Sequence, residues 1–486
     1  MPRPKDLRTY IAALEELGDV RVIDRRVDPH LEAGAVIRRA YETVAPAPLF
    51  TNIDGTAPGF RLLGAPAALS SAPGKPLARI ALSLGLDTAA GAREIIDALA
   101  EARSREPIRP VLVDAATAPC KQNVLLGDEA TLDRFPTPLL HEGDGGPYVN
   151  TWGTIVARTP DGSFTNWSIA RIMMIDGTHM TGLVVPGQHI HHVWQQWAER
   201  GEAMPFALVQ GGHPAVPFVA GMPLPDGIEE TGYLGALLGE PLELVPCETI
   251  DLQVPAGAEI VIEGHLSCER TAVEGPMGEF AGYQPQGTSL QPVYTINAIS
   301  HRDDPIWPTV VEGEPVDEFH TVTGLTLAAE ALAALRSAGL PVTSAWEPFD
   351  MAAHALVVSV AADWRERQPG LESIELAQRI TDVIDAQRFQ VMVPRIFVLD
   401  DDVDASDPRE LTWALATRVH PTGRRIVRTR EALHLLTVYT AEERHSQTGP
   451  KVTYDALLPA VRERRSSFRY IFPPDIQERV LSHWDD

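Results

Sequence analysis

Thr151-Trp-Gly-Thr-Ile-Val-Ala-Arg-Thr-Pro-Asp-Gly-Ser-Phe-Thr-Asn-Trp-Ser-Ile-Ala-Arg171-Ile-Met-Met-Ile175 decides how the middle of this chain folds. Residues 151–157 and 169–175 are apolar and rich in β-branched side chains, and Pro160-Asp161-Gly162 between them is turn chemistry. The stretch therefore reads as short strands joined by tight turns. The same texture starts near Tyr148 and recurs at residues 206–209, 259–263 and 293–299, which predicts a mainly β central domain.

Outward from that core the pattern changes. Asp6 caps a predicted helix with the stripe Leu7, Tyr10, Ile11, Leu14 and Leu17, ended by Gly18, and helical periodicity returns at residues 28–45 and 91–102. Pro-rich connections at residues 107–110 and 136–138 lead into the β region. From about Val316 to Arg430, apolar-periodic helices alternate with β-rich runs, the pattern of βαβ units. The expectation is an α/β (α+β multidomain) chain divided at 1–120, 121–310 and 311–486, with a domain-closing hinge near residues 305–320. The acidic run at 400–404 fails as a calcium loop. Counted from Asp402, Asp407 stands where Gly is needed and Trp413 where the bidentate Glu belongs. Asp407 instead reads as a helix cap, with Pro408 in the first turn and Glu410 closing a capping box. The tail 473–484 reads as an amphipathic helix, with Ile476, Val480, Leu481 and Trp484 on the face offered to a partner subunit.

The 486 residues are 44% apolar and 22% charged, a globular mixture, and carry a formal charge of −25. That charge argues against a nucleic-acid partner or an anionic membrane, both of which need a basic surface. An acidic substrate would need local positive charge, for which Arg171 is the candidate. Cys120, Cys247 and Cys268 lack CxxC spacing and indicate neither a disulfide framework nor a zinc site. No secretory signal and no run long enough to span a bilayer is present, so the reading is cytoplasmic.

Two sets of polar groups exceed what a fold needs. Asn166, His189 and Glu230 offer an amide, an imidazole and a carboxylate, a mixed O/N set suited to Mn²⁺ or Mg²⁺ and leaving positions open for a phosphate. Singly, each also reads as a turn amide, a helix-start histidine or a surface acid. His189-Ile-His191-His192 lacks the HExxH spacing of a zinc hydrolase. Glu274 and Glu279 flank a Gly-Pro turn that can fold both carboxyls toward one point; Arg171 would hold one as an anion while the other keeps a proton. A surface loop with two solvated acids is the alternative. Asn166 and Arg171 share one short segment, so the two sets must be neighbours.

Asn166-Trp-Ser-Ile-Ala-Arg171, Val185-Pro-Gly-Gln-His-Ile190, Met222-Pro-Leu-Pro-Asp-Gly-Ile-Glu-Glu-Thr-Gly-Tyr233 and Glu274-Gly-Pro-Met-Gly-Glu279-Phe-Ala-Gly-Tyr283 resemble, in order and spacing, the UbiD-like decarboxylases, including the ferulic acid decarboxylase branch. The likeness runs nearly end to end. It implies an N-terminal α/β domain, a central split β-barrel binding prenylated FMN, and a C-terminal α/β oligomerisation domain. It implies reversible, non-oxidative exchange of CO₂ between an aromatic or α,β-unsaturated acid and its decarboxylated product. It also implies a flavin prenyltransferase as cofactor supplier and a homodimer or higher homo-oligomer. Carried over by motif, Arg171, Glu274 and Glu279 would be catalytic, and Asn166, His189 and Glu230 would hold Mn²⁺. K⁺ would lie near Trp167 and Met222. Cofactor contacts would come from residues 166–171 (Ser168, Ile169 and Ala170 among them), Gln188, His189, Met222, Pro223 and Glu230. Loss of CO₂ from an sp² carbon leaves a localised carbanion that no side chain can absorb, which is why the chemistry needs a cofactor.

Within the same resemblance, Gln188, Phe280, His320, His434 and Leu436 would line the substrate pocket. The ferulic-type branch usually has Phe where this chain has His434. A histidine can hydrogen-bond a phenolic hydroxyl or a ring N–H, so the reading leans to a hydroxylated aromatic or heteroaromatic acid, with a cinnamate- or acrylate-type acid as the alternative. A flavin-independent divalent-metal hydrolase and a non-catalytic flavin-binding protein are the competing readings from other classes.

Overall fold

The structure is a computed structural model, and it describes residues 3–285, 287–461 and 465–484. Asp6 caps the helix Leu7–Glu16 by accepting from Thr9 N–H, and the helix buries Leu7, Tyr10, Ile11, Ala13 and Leu14. Gly18, with φ of +70°, makes the turn that follows. The adjoining sheet runs Val20–Ile23, Ala47–Phe50, Arg61–Gly64, Ile306–Thr309. Its last strand arrives from far along the chain and pairs in parallel, Ile306 opposite Arg61. This sheet is pinned beneath by a buried ion pair. The Arg79 guanidinium donates to both Asp19 oxygens (2.8 and 2.7 Å) and to the carbonyls of Ala65 and Ala45.

The central region is an antiparallel sheet that curls on itself. Its strand order is Tyr148–Asn150, Ile172–Met174, His179–Gly182, Ser289–His301, Ile260–Glu274, Met204–Gln210, Thr154–Arg158 and Thr165–Ser168, with Asn123–Leu126 pairing off this path to Ser289–His301. The long hairpin Ile260–Glu274/Ser289–His301 bends at irregularities between Glu263 and Gly264 and between Leu266 and Ala272. Gly264 is required at the first bend, because an added Cβ would lie 1.9 Å from the Thr295 carbonyl oxygen.

Two strand expectations shift here for visible reasons. The strand expected from 151 begins at Thr154, since Asn150 holds Gly153 in a turn through N–H and carbonyl (2.6 and 3.1 Å). The strand expected at 169–175 shrinks to Ile172–Met174, because Thr165–Ser168 is a strand in its own right, with Trp167 opposite Val156. Residues 169–171 become the link between them.

The C-terminal layer pairs the long helix Glu318–Ser337 with a sheet ordered Val342–Trp346, Leu356–Val360, Arg395–Asp400, Thr448–Asp455, Arg425–Glu431, parallel in its middle and antiparallel at both edges. Asp407 caps Pro408–Arg418 as its sequence implies. The capping box does not close: Glu410 accepts instead from Asp404 N–H and pairs with Arg465. Asp402 is taken by both arms of Arg418 (2.8 and 2.7 Å), which removes it from any cation site. The strand Ile306–Thr309 and the helix Glu318–Ser337 leave only residues 310–317 of the expected hinge as connection. Arg38 ties these to the N-terminal layer through Val311 O, Glu314 O and Asp317. The final helix Pro474–Leu481 buries nothing, and Leu481 and Trp484 are exposed. Among the described residues no helix is long and apolar enough to cross a membrane.

Replacing Arg79 by Met should strand a buried carboxylate and lower the free energy of unfolding by about 3–5 kcal/mol. In chemical denaturation the exposed Arg39–Glu42 pair serves as the control, and its removal should leave the midpoint unchanged.

Candidate active site

Arg171 ends the link between two strands, and its guanidinium meets two acids brought in by the hairpin end. Nε donates to Glu274 Oε1 (2.8 Å) and Nη2 to Glu274 Oε2 (3.0 Å), a two-pronged pair; Nη1 donates to Glu279 Oε1. Glu274 closes the strand Ile260–Glu274, and Gly275, at φ of +84°, turns the chain so that Glu279 returns to the same guanidinium. The turn is held from behind. Asp144 accepts from Gly278 N–H and from Gln284 (both 3.0 Å), and Tyr148 donates its hydroxyl to Glu274 Oε1 (3.1 Å).

Both acids are buried, at 1% and 4% exposure. Burial pushes Glu279 above the ordinary carboxyl range; Arg171 pulls the other way, and the charge of Glu274 adds to the rise. Burial works against charge on Arg171, but attraction to Glu279 and Glu274 outweighs it and holds the guanidinium firmly protonated.

The second set converges from three elements. Asn166 lies on Thr165–Ser168, His189 opens the helix His189–Glu199, and Glu230 opens the helix Glu230–Leu238. Glu230 Oε2 accepts from Trp167 N–H (3.0 Å), and Oε1 stands 3.7 Å from His189 Nδ1. Asn166 Oδ1 is buried with no hydrogen-bond partner, while Nδ2 donates to Ser168 Oγ (3.2 Å). An orphaned buried amide oxygen beside a carboxylate and an imidazole is an arrangement a hard divalent cation would satisfy. His189 Nε2 faces both Asp226 (3.0 Å), which only accepts, and Arg388, which only donates; with Nε2 donating to Asp226, Nδ1 is free as a ligand. The donor set thus fits Mn²⁺ or Mg²⁺.

The segment 167–170 continues from this set. Trp167 is buried, Ser168, Ile169 and Ala170 are half-buried, and the Ile169 side chain reaches Gly221, next to buried Met222 and half-buried Pro223. Gln188, at the cap of the histidine helix, is exposed. His191 lies near Trp194, and His192 is exposed.

Beside the acids is an apolar wall. Phe280 follows Glu279 and stacks on Phe319 with centroids 3.9 Å apart, in a cluster with Leu436, Ala353, Ala432 and Tyr439. His434 is half-buried, its Nδ1 has no partner, and burial followed by the charge of Arg171 disfavours its protonation. His320 is different. Its Nδ1 accepts from Asp317 N–H (3.0 Å), and its Nε2 donates to the Phe280 carbonyl (2.8 Å). Both nitrogens are spent on the protein, so the hydrogen bond expected from His320 to a substrate is not available; it braces the turn that carries Glu279.

Several participants were missed in the sequence. Arg388, from a short turn of the C-terminal layer, contacts His189 Nε2 and Asp226 and donates to the carbonyls of Gly187 (2.6 Å) and Leu224 (3.3 Å). No spacing signal links it to them. Phe319 is equally silent, whereas Tyr148 and Asp144 stand in a Gly-rich segment, 141–148, whose composition marks a close approach. A cleft of about 1010 Å³ opens on His189, Asp226 and Glu229 and is also lined by Arg103, Arg105 and Arg109; the Arg171 cluster lies off it.

Known proteins share this architecture. The chain matches the N-terminal, Rift-related and C-terminal domains of 3-octaprenyl-4-hydroxybenzoate carboxy-lyase at residues 11–99, 111–315 and 320–456. It is 38% identical to a pyrrole-2-carboxylic acid decarboxylase of Pseudomonas aeruginosa, covering 99% of this chain and 98% of that one. It is also 38% identical to ferulic acid decarboxylase 1 of Saccharomyces cerevisiae, covering 99% and 97%. Among solved structures, an evolved dimeric form of the UbiD-class enzyme HmfF from Pelotomaculum thermopropionicum, in complex with prFMN, superposes with a TM-score of 0.80 at 27% identity over 99% of this chain and 100% of that one. The closed form of Sedimentibacter hydroxybenzoicus vanillic acid decarboxylase shares the fold, with a TM-score of 0.86 at 24% identity over the full length of both chains. The chain belongs to the UbiD family of carboxy-lyases.

Proposed function

We propose that this carboxy-lyase exchanges CO₂ reversibly with a small hydroxylated aromatic or heteroaromatic acid, using prenylated FMN. The observation that carries the reading is the buried cluster of one guanidinium and two acids beside a neutral, unpartnered histidine nitrogen. Asn166, His189 and Glu230 would hold Mn²⁺ against the flavin phosphate, with Arg388 as a further cation there and K⁺ near Trp167 and Met222. When bound, the flavin supplies the electron sink that an sp² carboxylate needs in order to lose CO₂.

The chain's own residues do the rest. Arg171 supplies fixed positive charge, and its two-pronged grip holds Glu274 in place. Glu279, whose proton is retained by burial, is the acid that protonates the carbon from which CO₂ has left; in carboxylation it is the base. The Phe280–Phe319 wall excludes water from that carbon. His434, being neutral, can accept from a ring N–H or a phenolic hydroxyl or donate to it, depending on tautomer. The relative named for pyrrole-2-carboxylic acid supports the heteroaromatic lean. The stacked phenylalanines favour the second reading, a cinnamate-type acid lying against an apolar face. The exposed face of the last helix, with Leu481 and Trp484, supports assembly as a homodimer.

Protein co-expressed with a flavin prenyltransferase should turn over hydroxybenzoates or pyrrole- and furan-carboxylates faster than cinnamates, and His434→Phe should invert that order. Turnover of cinnamates alone by the unaltered chain would reject the substrate class. Because the acid must carry its proton, the decarboxylation rate should hold below the raised pKa of Glu279 and fall as pH rises through it. Glu279→Gln should lower kcat by roughly 10²–10⁴-fold while flavin absorbance remains.

A further inference from the structure

The turn that carries Glu279 is gripped from one side at two points. Glu279 N–H donates to the Tyr283 carbonyl (3.1 Å) and Gly282 N–H to the Glu279 carbonyl (2.9 Å), so residues 279–283 form one tight reversal. Gly282, with φ of +83°, faces Glu314 so closely that an added Cβ would fall 3.1 Å from Glu314 Cγ. At the other end the Phe280 carbonyl accepts from His320 Nε2 (2.8 Å), and the Phe280 ring stacks on Phe319. Glu314 belongs to residues 310–317, which connect the strand Ile306–Thr309 to the helix Glu318–Ser337, and Phe319 and His320 stand in the first turn of that helix. The direction in which the Glu279 side chain leaves the backbone therefore depends on where this connection and this helix start are held.

Both grips lead back to Arg38, on the helix Glu32–Glu42 of the N-terminal layer. Its Nη2 donates to the Glu314 carbonyl (2.6 Å), and its Nη1 donates to the Val311 carbonyl (3.0 Å) and to Asp317 Oδ2 (3.1 Å). Asp317 caps the helix Glu318–Ser337. Its Oδ1 accepts from Phe319 N–H (3.0 Å), its Oδ2 accepts also from Gly313 N–H (2.9 Å), and its own N–H donates to His320 Nδ1 (3.0 Å). Asp317 and His320 are buried, where a lost partner leaves a polar group uncompensated. Tyr41, next to Arg38 on the same helix, donates to Glu318 Oε2 (2.6 Å) and so holds the first helical residue as well.

We propose that Arg38 is a positioning residue for Glu279, holding the turn of that acid at Glu314 and, through Asp317 and His320, at Phe280. The idea rests on the reading of Glu279 as the acid of the reaction. Arg171 tethers the Glu279 carboxyl by one donor, but a glutamate side chain is flexible, and a tethered carboxyl on a shifted backbone is misaimed at the reacting carbon. The reaction tolerates little of that, since a misplacement of about 1 Å can cost ~10²-fold. Arg38 acts through the backbone of the turn and not on the substrate, which gives the N-terminal layer a part in the chemistry.

The test is steady-state kinetics of flavin-loaded variants with whichever acid the wild type turns over best. Arg38→Met and His320→Leu should each lower kcat roughly 10- to 100-fold while KM and bound flavin stay close to wild type. Arg38→Lys, and His320→Gln, whose amide can still donate to the Phe280 carbonyl, should lie between. If Arg38→Met yields no folded protein, Arg38→Lys and the two His320 variants carry the comparison. Arg79→Met breaks a buried ion pair elsewhere in the N-terminal layer and should leave kcat unchanged. Unchanged kcat in the Arg38 and His320 variants, or an equal fall in Arg79→Met, would overturn the proposal. In a Glu279→Gln background the same substitutions should cost little more, because they act through that acid; a full additional fall would also overturn it. A crystal structure of cofactor-free His320→Leu gives an independent readout, in which residues 279–282 should be displaced relative to Arg171. If they keep their wild-type places, the positioning role is wrong whatever the enzyme does. If they move but Glu279→Gln turns over as fast as wild type, the reading of Glu279 as the acid fails instead.

Discussion

A single guanidinium governs this molecule. Arg171 grips Glu274 with two donors and Glu279 with a third, and both acids are buried. Buried carboxylates are costly unless paired, and removing one partner leaves the other exposed to that cost. The surrounding construction follows from keeping the three groups together. The bent hairpin delivers Glu274, Gly275 reverses the chain, Asp144 and His320 brace the turn, and Tyr148 satisfies a remaining lone pair of Glu274. The same contacts distinguish the acids: Glu274 takes two donors of Arg171 and Glu279 one, and burial raises Glu279 above the ordinary carboxyl range.

The second constraint is length. Asn166 and Arg171 are five residues apart, and even a fully extended chain of that length reaches only about 17 Å. A group anchored at the amide, imidazole and carboxylate set must therefore lie within the span of one small cofactor from the acids. Between them the residues 167–170 run past Gly221, so one short link carries both Asn166 and Arg171. Arg388 joins the C-terminal layer to His189, and Arg38 joins the connection 310–317 to the N-terminal layer.

What could be read in the residues divides along physical lines. Asp6 and Asp407 announce their helices because a cap is a local event, and the strand Leu356–Val360 is marked by a short run of apolar and β-branched residues. The site sets were legible because their residue types are chemically expensive to bury. The rest depends on long-range contact. The strand Thr165–Ser168 is polar at both ends and exists because Val156 and Ala157 lie beside it. The strand Ile306–Thr309 belongs to a sheet whose other members are far back in the chain. His320 looks like a pocket histidine until its two nitrogens are seen to be committed, and Arg388 has no local pattern at all.

The claim on which all of this rests is that one metal-held flavin spans from Asn166 to Arg171. A crystal structure of the enzyme loaded with Mn²⁺ and prenylated FMN, with anomalous scattering recorded at the manganese edge, tests it directly. The account requires the anomalous peak among Asn166 Oδ1, His189 Nδ1 and Glu230 Oε1, with the flavin phosphate on the ion and the ring system facing Arg171 and Glu279. A peak elsewhere, or a ring system turned away from that guanidinium, would contradict it.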